Sequence, residues 1–168
     1  MESYLAAAVQ MTSTDDVESN LLQARSLVAV AAGRGARLVS LPENFAFLGP
    51  EGRKLDETPR IAELAEKFLR ETAREFGITL LGGGFPTPAA QTARCHNTAV
   101  LVGPEGEELG RYQKVHLFDV DLPDGNTYRE SDSVIPGSEV VVADAGPLGL
   151  LGLSVCYDLR FPELYRTL

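Results

Sequence analysis

Tryptophan is absent from this 168-residue chain, and cysteine, methionine and histidine occur only twice each. Two cysteines, Cys95 and Cys156, cannot build the disulfide framework of a small secreted protein. The acidic Glu2 stands where a signal peptide would carry positive charge, so a cytoplasmic protein is the expectation. Long apolar runs are missing as well: the longest, Leu27 to Ala32, falls far short of the roughly 20 residues that cross a bilayer. Basic residues are in the minority, 15 against 24 acidic ones, which gives a formal net charge of -9. With Lys and Arg scattered, that balance disfavours nucleic acid and anionic lipid. The expected partner is a small molecule, with no nucleic acid, no membrane and no cofactor or metal. Internal repeats and low-complexity tracts are lacking too. Apolar residues are present in ordinary amount, 44% of the chain, and they suffice for one domain with its own core.

The apolar pattern predicts alternating elements. Tyr4 to Met11 reads as a strand. Val17, Leu21, Ala24, Val28 and Ala31 recur at helical spacing before Gly33 and Gly35, and Ala36 to Leu41 is a second strand closed by Pro42. A second helix is expected over Pro59 to Phe76, capped by Thr58 and stopped by Gly77. Ile78 to Leu81 reads as a strand ending at Gly82-Gly83-Gly84. Cys95 to Val102 and Glu108 to Tyr112 flank a Gly103-Pro104-Glu105-Gly106 hairpin turn. Val115 to Pro136 reads as one long functional surface loop. Val140 to Ala143 and Leu148 to Val155 read as strands, and a helix starts at Phe161. The sum is an α/β fold with a mixed sheet and helices over at least one face.

Functional groups in such sheets gather beyond the carboxyl ends of strands. Glu43 follows LVSLP and Cys156 follows GLLGLSV. A thiol between a strand and a helix start is poised for activation, because backbone N–H groups and the helix dipole favour the thiolate. Competing patterns are weaker. Cys156 with His116 or His96 lacks the local signatures of a cysteine protease. Asp119, Asp121 and Glu130 have calcium-loop spacing, but Pro123 and Asp124 stand where a ligand and glycine are needed. The triple glycine lacks the Lys-Ser/Thr of a phosphate loop, which leaves close backbone packing as its role.

Cys156-Tyr157-Asp158-Leu159-Arg160-Phe161-Pro162-Glu163 closely resembles the nucleophile motif of the nitrilase, or carbon-nitrogen hydrolase, superfamily. Leu41-Pro42-Glu43-Asn44-Phe45 resembles the segment around that family's catalytic glutamate. Tyr112-Gln113-Lys114-Val115-His116-Leu117-Phe118 resembles the one around its lysine, and all three occur in the family's order. The resemblance implies an αββα sandwich and an amidase. In it Glu43 takes the thiol proton, Cys156 attacks the amide carbon, Lys114 and the Tyr157 N–H hold the oxyanion, and ammonia leaves before water cleaves the thioester. Glu130 falls where many members carry a second essential glutamate, and a buried lysine needs a second counter-charge.

Within the family the motifs look most like the branch that hydrolyses deaminated glutathione, with the omega-amidases of keto-dicarboxylate amides close behind. Both substrates carry carboxylates, which Arg160 or Arg129 would meet. The family's domain also runs on past the nucleophile helix. Residues 1–168 are therefore expected to be the amino-terminal portion of an incomplete sandwich whose carboxyl-terminal part is absent. The full-length form is expected to be a homo-oligomer. The isolated chain is expected to be aggregation-prone with little activity, and an inactive remnant is the alternative.

Overall fold

The computed structural model describes residues 3–168. Five strands form one sheet in the order β1 (Leu5–Ala8), β2 (Ala36–Ser40), β3 (Thr79–Pro88), β4 (Cys95–Val102) and β5 (Glu108–Gln113). The first three run parallel, each crossover carrying a helix, and the last three pair antiparallel. Helices α1 (Val17–Gly33) and α2 (Glu51–Phe76) cover one face. Strand periodicity divides the side chains: Leu80, Val100 and Val102 join Val28, Ile61 and Leu69 beneath the helices, while Ala99, Leu101 and Tyr112 face the other way. There they meet Ala143, Leu153 and Val155 of a second layer. That layer is the hairpin of β8 (Val142–Asp144) and β9 (Leu150–Gly152) with the segment after it, so β4 in the sheet is buried on both sides while β1 at the edge stays largely exposed. The chain closes with α3 (Pro162–Thr167). Among the described residues no helix is long and apolar enough to cross a membrane.

Helix α1 starts where the periodicity predicts, with Asp16 accepting a hydrogen bond from the Ser19 N–H at 3.0 Å. Helix α2 is longer than expected by the eight residues Glu51 to Thr58. Pro59 lies inside it, and Thr58 is no cap: the side chain is buried and its hydroxyl donates to the Lys54 carbonyl at 2.7 Å. A proline inside a helix costs about 3 kcal/mol. Here the buried stripe of Ile61, Ala65 and Leu69 simply continues upstream through Thr58, and the Arg53–Glu57 pair braces the added turns.

Strand β3 runs through the three glycines instead of ending at them. A Cβ on Gly83 would lie 2.4 Å from the Pro42 backbone, and one on Gly84 would lie 2.0 Å from Asn97 Oδ1. The glycines thus let a strand pass two neighbours at close range. The segment expected as one loop contains a further short hairpin, β6 (Asp119–Asp121) with β7 (Thr127–Arg129), followed by a tight turn at Glu130–Asp132. The last two strands are shorter than their apolar runs, and a second tight turn spans Cys156–Arg160.

Candidate active site

Four strand ends deliver the polar groups. Glu43 follows β2 on a segment pinned to β3, where the Leu41 N–H donates to Leu81 O at 2.9 Å and the Asn44 N–H to Gly84 O at 2.6 Å. Asn44 adopts φ 60°, which turns the chain sharply after the glutamate. Lys114 follows β5 and is held at both backbone groups, its N–H donating to Asn97 O at 2.8 Å and its carbonyl accepting from Gly137 at 2.9 Å. Glu130 sits in the turn after β7, and its Oε2 accepts the Phe118 N–H at 2.6 Å. Cys156 opens the tight turn after β9 with φ 48°. A non-glycine residue in that left-handed region costs on the order of 1–3 kcal/mol and persists only where its surroundings enforce it.

The side chains converge. Lys114 Nζ donates to Glu43 Oε1 at 2.9 Å and to Glu130 Oε2 at 2.9 Å, and its side chain is only 2% exposed. Asn97 Nδ2 donates to the same two carboxylates, at 2.7 Å to Glu43 and 3.2 Å to Glu130. Two carboxylates therefore share one ammonium and one amide. Burial opposes the Lys114 charge, but Glu43 and Glu130 outweigh it and hold the ammonium's pKa above the usual lysine value.

The Cys156 thiol lines the same cavity as this cluster. Burial first, then the charge of the nearby Glu43 carboxylate, push its pKa up to about 11, against the opposing pull of Lys114. This corrects the expectation of a thiolate favoured by a helix dipole. The residue lies on a tight turn, α3 begins only at Pro162, and the nearest charges sum to negative. At neutral pH the Cys156 side chain is therefore a neutral thiol near the Glu43 carboxylate. Iodoacetamide reacts with thiolate only, so alkylation of Cys156 should accelerate about tenfold per pH unit from pH 7 up to about 11. Peptide mapping by mass spectrometry reads the rate, and a plateau near pH 8 would refute the neutral thiol.

The turn carrying Cys156 is fastened by Asp158, which is fully buried. Its Oδ2 accepts the Tyr112 hydroxyl at 2.8 Å and the Val155 N–H at 2.9 Å. Its Oδ1 accepts the His116 N–H at 3.0 Å and pairs with His116 Nδ1 at 2.7 Å. One carboxylate thus joins the Cys156 turn to the residues on either side of Lys114. The His116 ring stacks on Phe161 at 3.7 Å, and His96 Nδ1 contacts the Ile135 carbonyl at 2.9 Å. Both imidazoles are engaged away from the sulfur.

These groups line one end of a cavity of about 590 Å³. Of the other residues singled out in the sequence, Arg129 lines it, with its guanidinium paired to Asp121 at 2.5 Å and partly in water. Tyr157 packs edge-on against Phe118, while Arg160 is exposed and stands outside the cavity lining. Sequence reasoning missed Asn97, Asp158 and Lys54. A lone Asn inside the apolar strand CHNTAVLV was the available signal for the first, and an acid next to the apolar Leu159 for the second. Lys54 was hidden because the helix was expected to begin only at Pro59, whereas it starts at Glu51.

The carbon-nitrogen hydrolase family model matches residues 5–168. A deaminated glutathione amidase of Synechocystis sp. is 54% identical over 170 residues, covering 100% of this chain and 62% of that protein. The human omega-amidase is 37% identical over 166 residues, covering 98% of this chain and 58% of its own length. Among solved structures, a glutamate-to-glutamine mutant of the amidase from Nesterenkonia sp. AN1, carrying acrylamide added at its active-site cysteine, superposes with TM-score 0.80. It is 32% identical, over 96% of this chain and 60% of that one. The chain thus spans about three-fifths of the length of the relatives it matches.

Proposed function

The chain belongs to the carbon-nitrogen hydrolase family, and from that premise we propose that it supplies the catalytic groups of an amidase with Cys156 as nucleophile. The observation carrying this reading is the convergence of Glu43, Lys114 and Glu130 in the cavity that Cys156 also lines.

In the first half-reaction Glu43 takes the Cys156 proton as sulfur attacks the amide carbon, and the oxygen gains charge beside the Lys114 ammonium and the Tyr157 N–H. Donors of this kind contribute about 3–4 kcal/mol each in acyl transfer. Glu43 then protonates the departing nitrogen, which leaves as ammonia from a primary amide or as an amine otherwise. In the second half-reaction Glu43 deprotonates water, water attacks the thioester, and the thiol regains its proton. Glu130 and Asn97 keep Lys114 and Glu43 in place without taking part in proton transfer.

The substrate we assign is a small amide bearing a carboxylate, such as deaminated glutathione, on the strength of the Synechocystis relative. The omega-amide of a keto dicarboxylate is the second reading, supported by the human relative. The proposed setting is cytoplasmic, the proposed partner a small-molecule amide and the proposed assembly a homo-oligomer.

Acid quenching during turnover tests the mechanism. Mass spectrometry should place the acyl mass on the peptide holding Cys156, with none on Cys95. An acyl group on Cys95, or full turnover by Cys156→Ala, would sink the assignment.

A further inference from the structure

The cavity extends beyond the reacting groups, and its far end holds a cation that the mechanism does not use. Lys54, in the first turns of α2, lines the cavity with a side chain only 14% exposed. Its Nζ donates to Ser133 Oγ at 3.2 Å and pairs with Glu51 at 2.6 Å. The four cavity-lining residues that can carry positive charge differ in what holds them. Lys114 is locked between two carboxylates, Arg129 is paired with Asp121, and His96 is bonded to a carbonyl. The Lys54 counter-ion, Glu51, has a side chain 64% exposed. An exposed carboxylate binds a cation weakly and exchanges readily with water, so a ligand anion can take its place.

Strand β4 sets the distance between the two ends. Asn97 touches Glu43 and Glu130, and Cys95, two residues earlier on the same face, bonds to Ser133 O at 3.6 Å. Two strand residues span roughly 7 Å. A saturated chain advances about 1.2 Å per bond, since three backbone bonds make up roughly 3.5 Å. A ligand whose reacting carbonyl and carboxylate lie four to five bonds apart therefore reaches both ends.

We propose that Lys54, with the Ser133 hydroxyl, is the anchor for the substrate's carboxylate. The inference rests on the amidase reading and moves the carboxylate anchor from the arginines to α2. A charge-assisted hydrogen bond of this kind contributes about 10- to 100-fold in affinity.

The test compares kcat/KM for glutaramate with that for the methyl ketone of the same shape. The wild type should favour glutaramate by about 30-fold. Lys54→Met should bring the ratio close to one, chiefly through KM, while Lys54→Arg should retain most of the preference. Glu51→Gln should lower KM for glutaramate by removing a competing carboxylate. An unchanged ratio in Lys54→Met overturns the proposal, as does collapse of the ratio in Arg129→Met instead, or loss of glutaramate turnover in Glu51→Gln.

A second readout needs no turnover. Millimolar glutarate should slow iodoacetamide modification of Cys156 in the wild type and fail to do so in Lys54→Met. Equal protection in both, or protection in neither, overturns the anchor. Protection without hydrolysis of any amide keeps the anchor and rejects the amidase reading.

Discussion

Glu43→Gln should lower amide turnover by about 10²- to 10⁴-fold, the usual contribution of a positioned general base, while making Cys156 easier to alkylate. The two effects have opposite signs for one reason. After burial, the Glu43 charge is the largest influence pushing the thiol up to about 11, whereas Lys114 works in the other direction. A glutamine keeps the shape and removes the charge, leaving the pull of Lys114 against the smaller push of Glu130. A fall of one unit corresponds to about 1.4 kcal/mol, so alkylation at pH 8 should quicken by roughly tenfold. The two rates are measured on the same preparation. If alkylation slows together with turnover, Glu43 activates the resting thiol, and its role as a base only during reaction is wrong.

Lys114→Met should be the most damaging single change to stability. The ammonium is buried, and the carboxylates it joins are mostly buried too, at 23% and 17% side-chain exposure. Removing one partner of such a cluster leaves like charges facing each other and typically costs about 3–5 kcal/mol, against a total of about 5–15 kcal/mol for a whole domain. The pH dependence follows from the ammonium itself. Glu43 and Glu130 hold its folded pKa above the usual lysine value, so the stability it contributes is fully present below the unfolded value and is lost only as pH rises through the folded one. Urea unfolding at pH 7 and pH 9 should therefore show the same wild-type advantage over Lys114→Met, and an advantage that shrinks by pH 9 would show that the ammonium is not held.

What could be read from the sequence followed from periodicity and local chemistry. Helix α1, strands β2, β4 and β5 and the Gly103–Gly106 turn announce themselves through apolar spacing and glycine. Glu43 and Cys156 could be singled out because strand ends in an α/β sheet gather functional groups, and the structure puts both on the lining of one cavity. Where reading failed, tertiary contacts overrode a local signal. Pro59 suggests a helix start, yet the buried stripe carries α2 upstream to Glu51. The glycines of β3 suggest a stop, yet Gly83 is needed for the approach of Pro42. The thiol shows a third kind of failure: local position at a turn suggested ionisation, while its charge environment is set by Glu43 from 113 residues away in the chain. No sequence window contains both.

Contacts so remote in sequence also order the assembly of the molecule. The Lys114–Glu43 pair closes a loop of 71 residues, Asn97–Glu43 one of 54 and Tyr112–Asp158 one of 46. The β3–β4 and β4–β5 hairpins close much shorter loops and can form on encounter of neighbouring segments. A buried ammonium gains nothing from one carboxylate until the surrounding wall has excluded water, so the polar cluster adds stability only after the sheet has collapsed. Its members therefore belong to the downhill side of the folding barrier. Substitutions in the cluster should change how fast the native protein unfolds more than how fast it folds, and the groups that endow the site with chemistry also slow its escape from the native state.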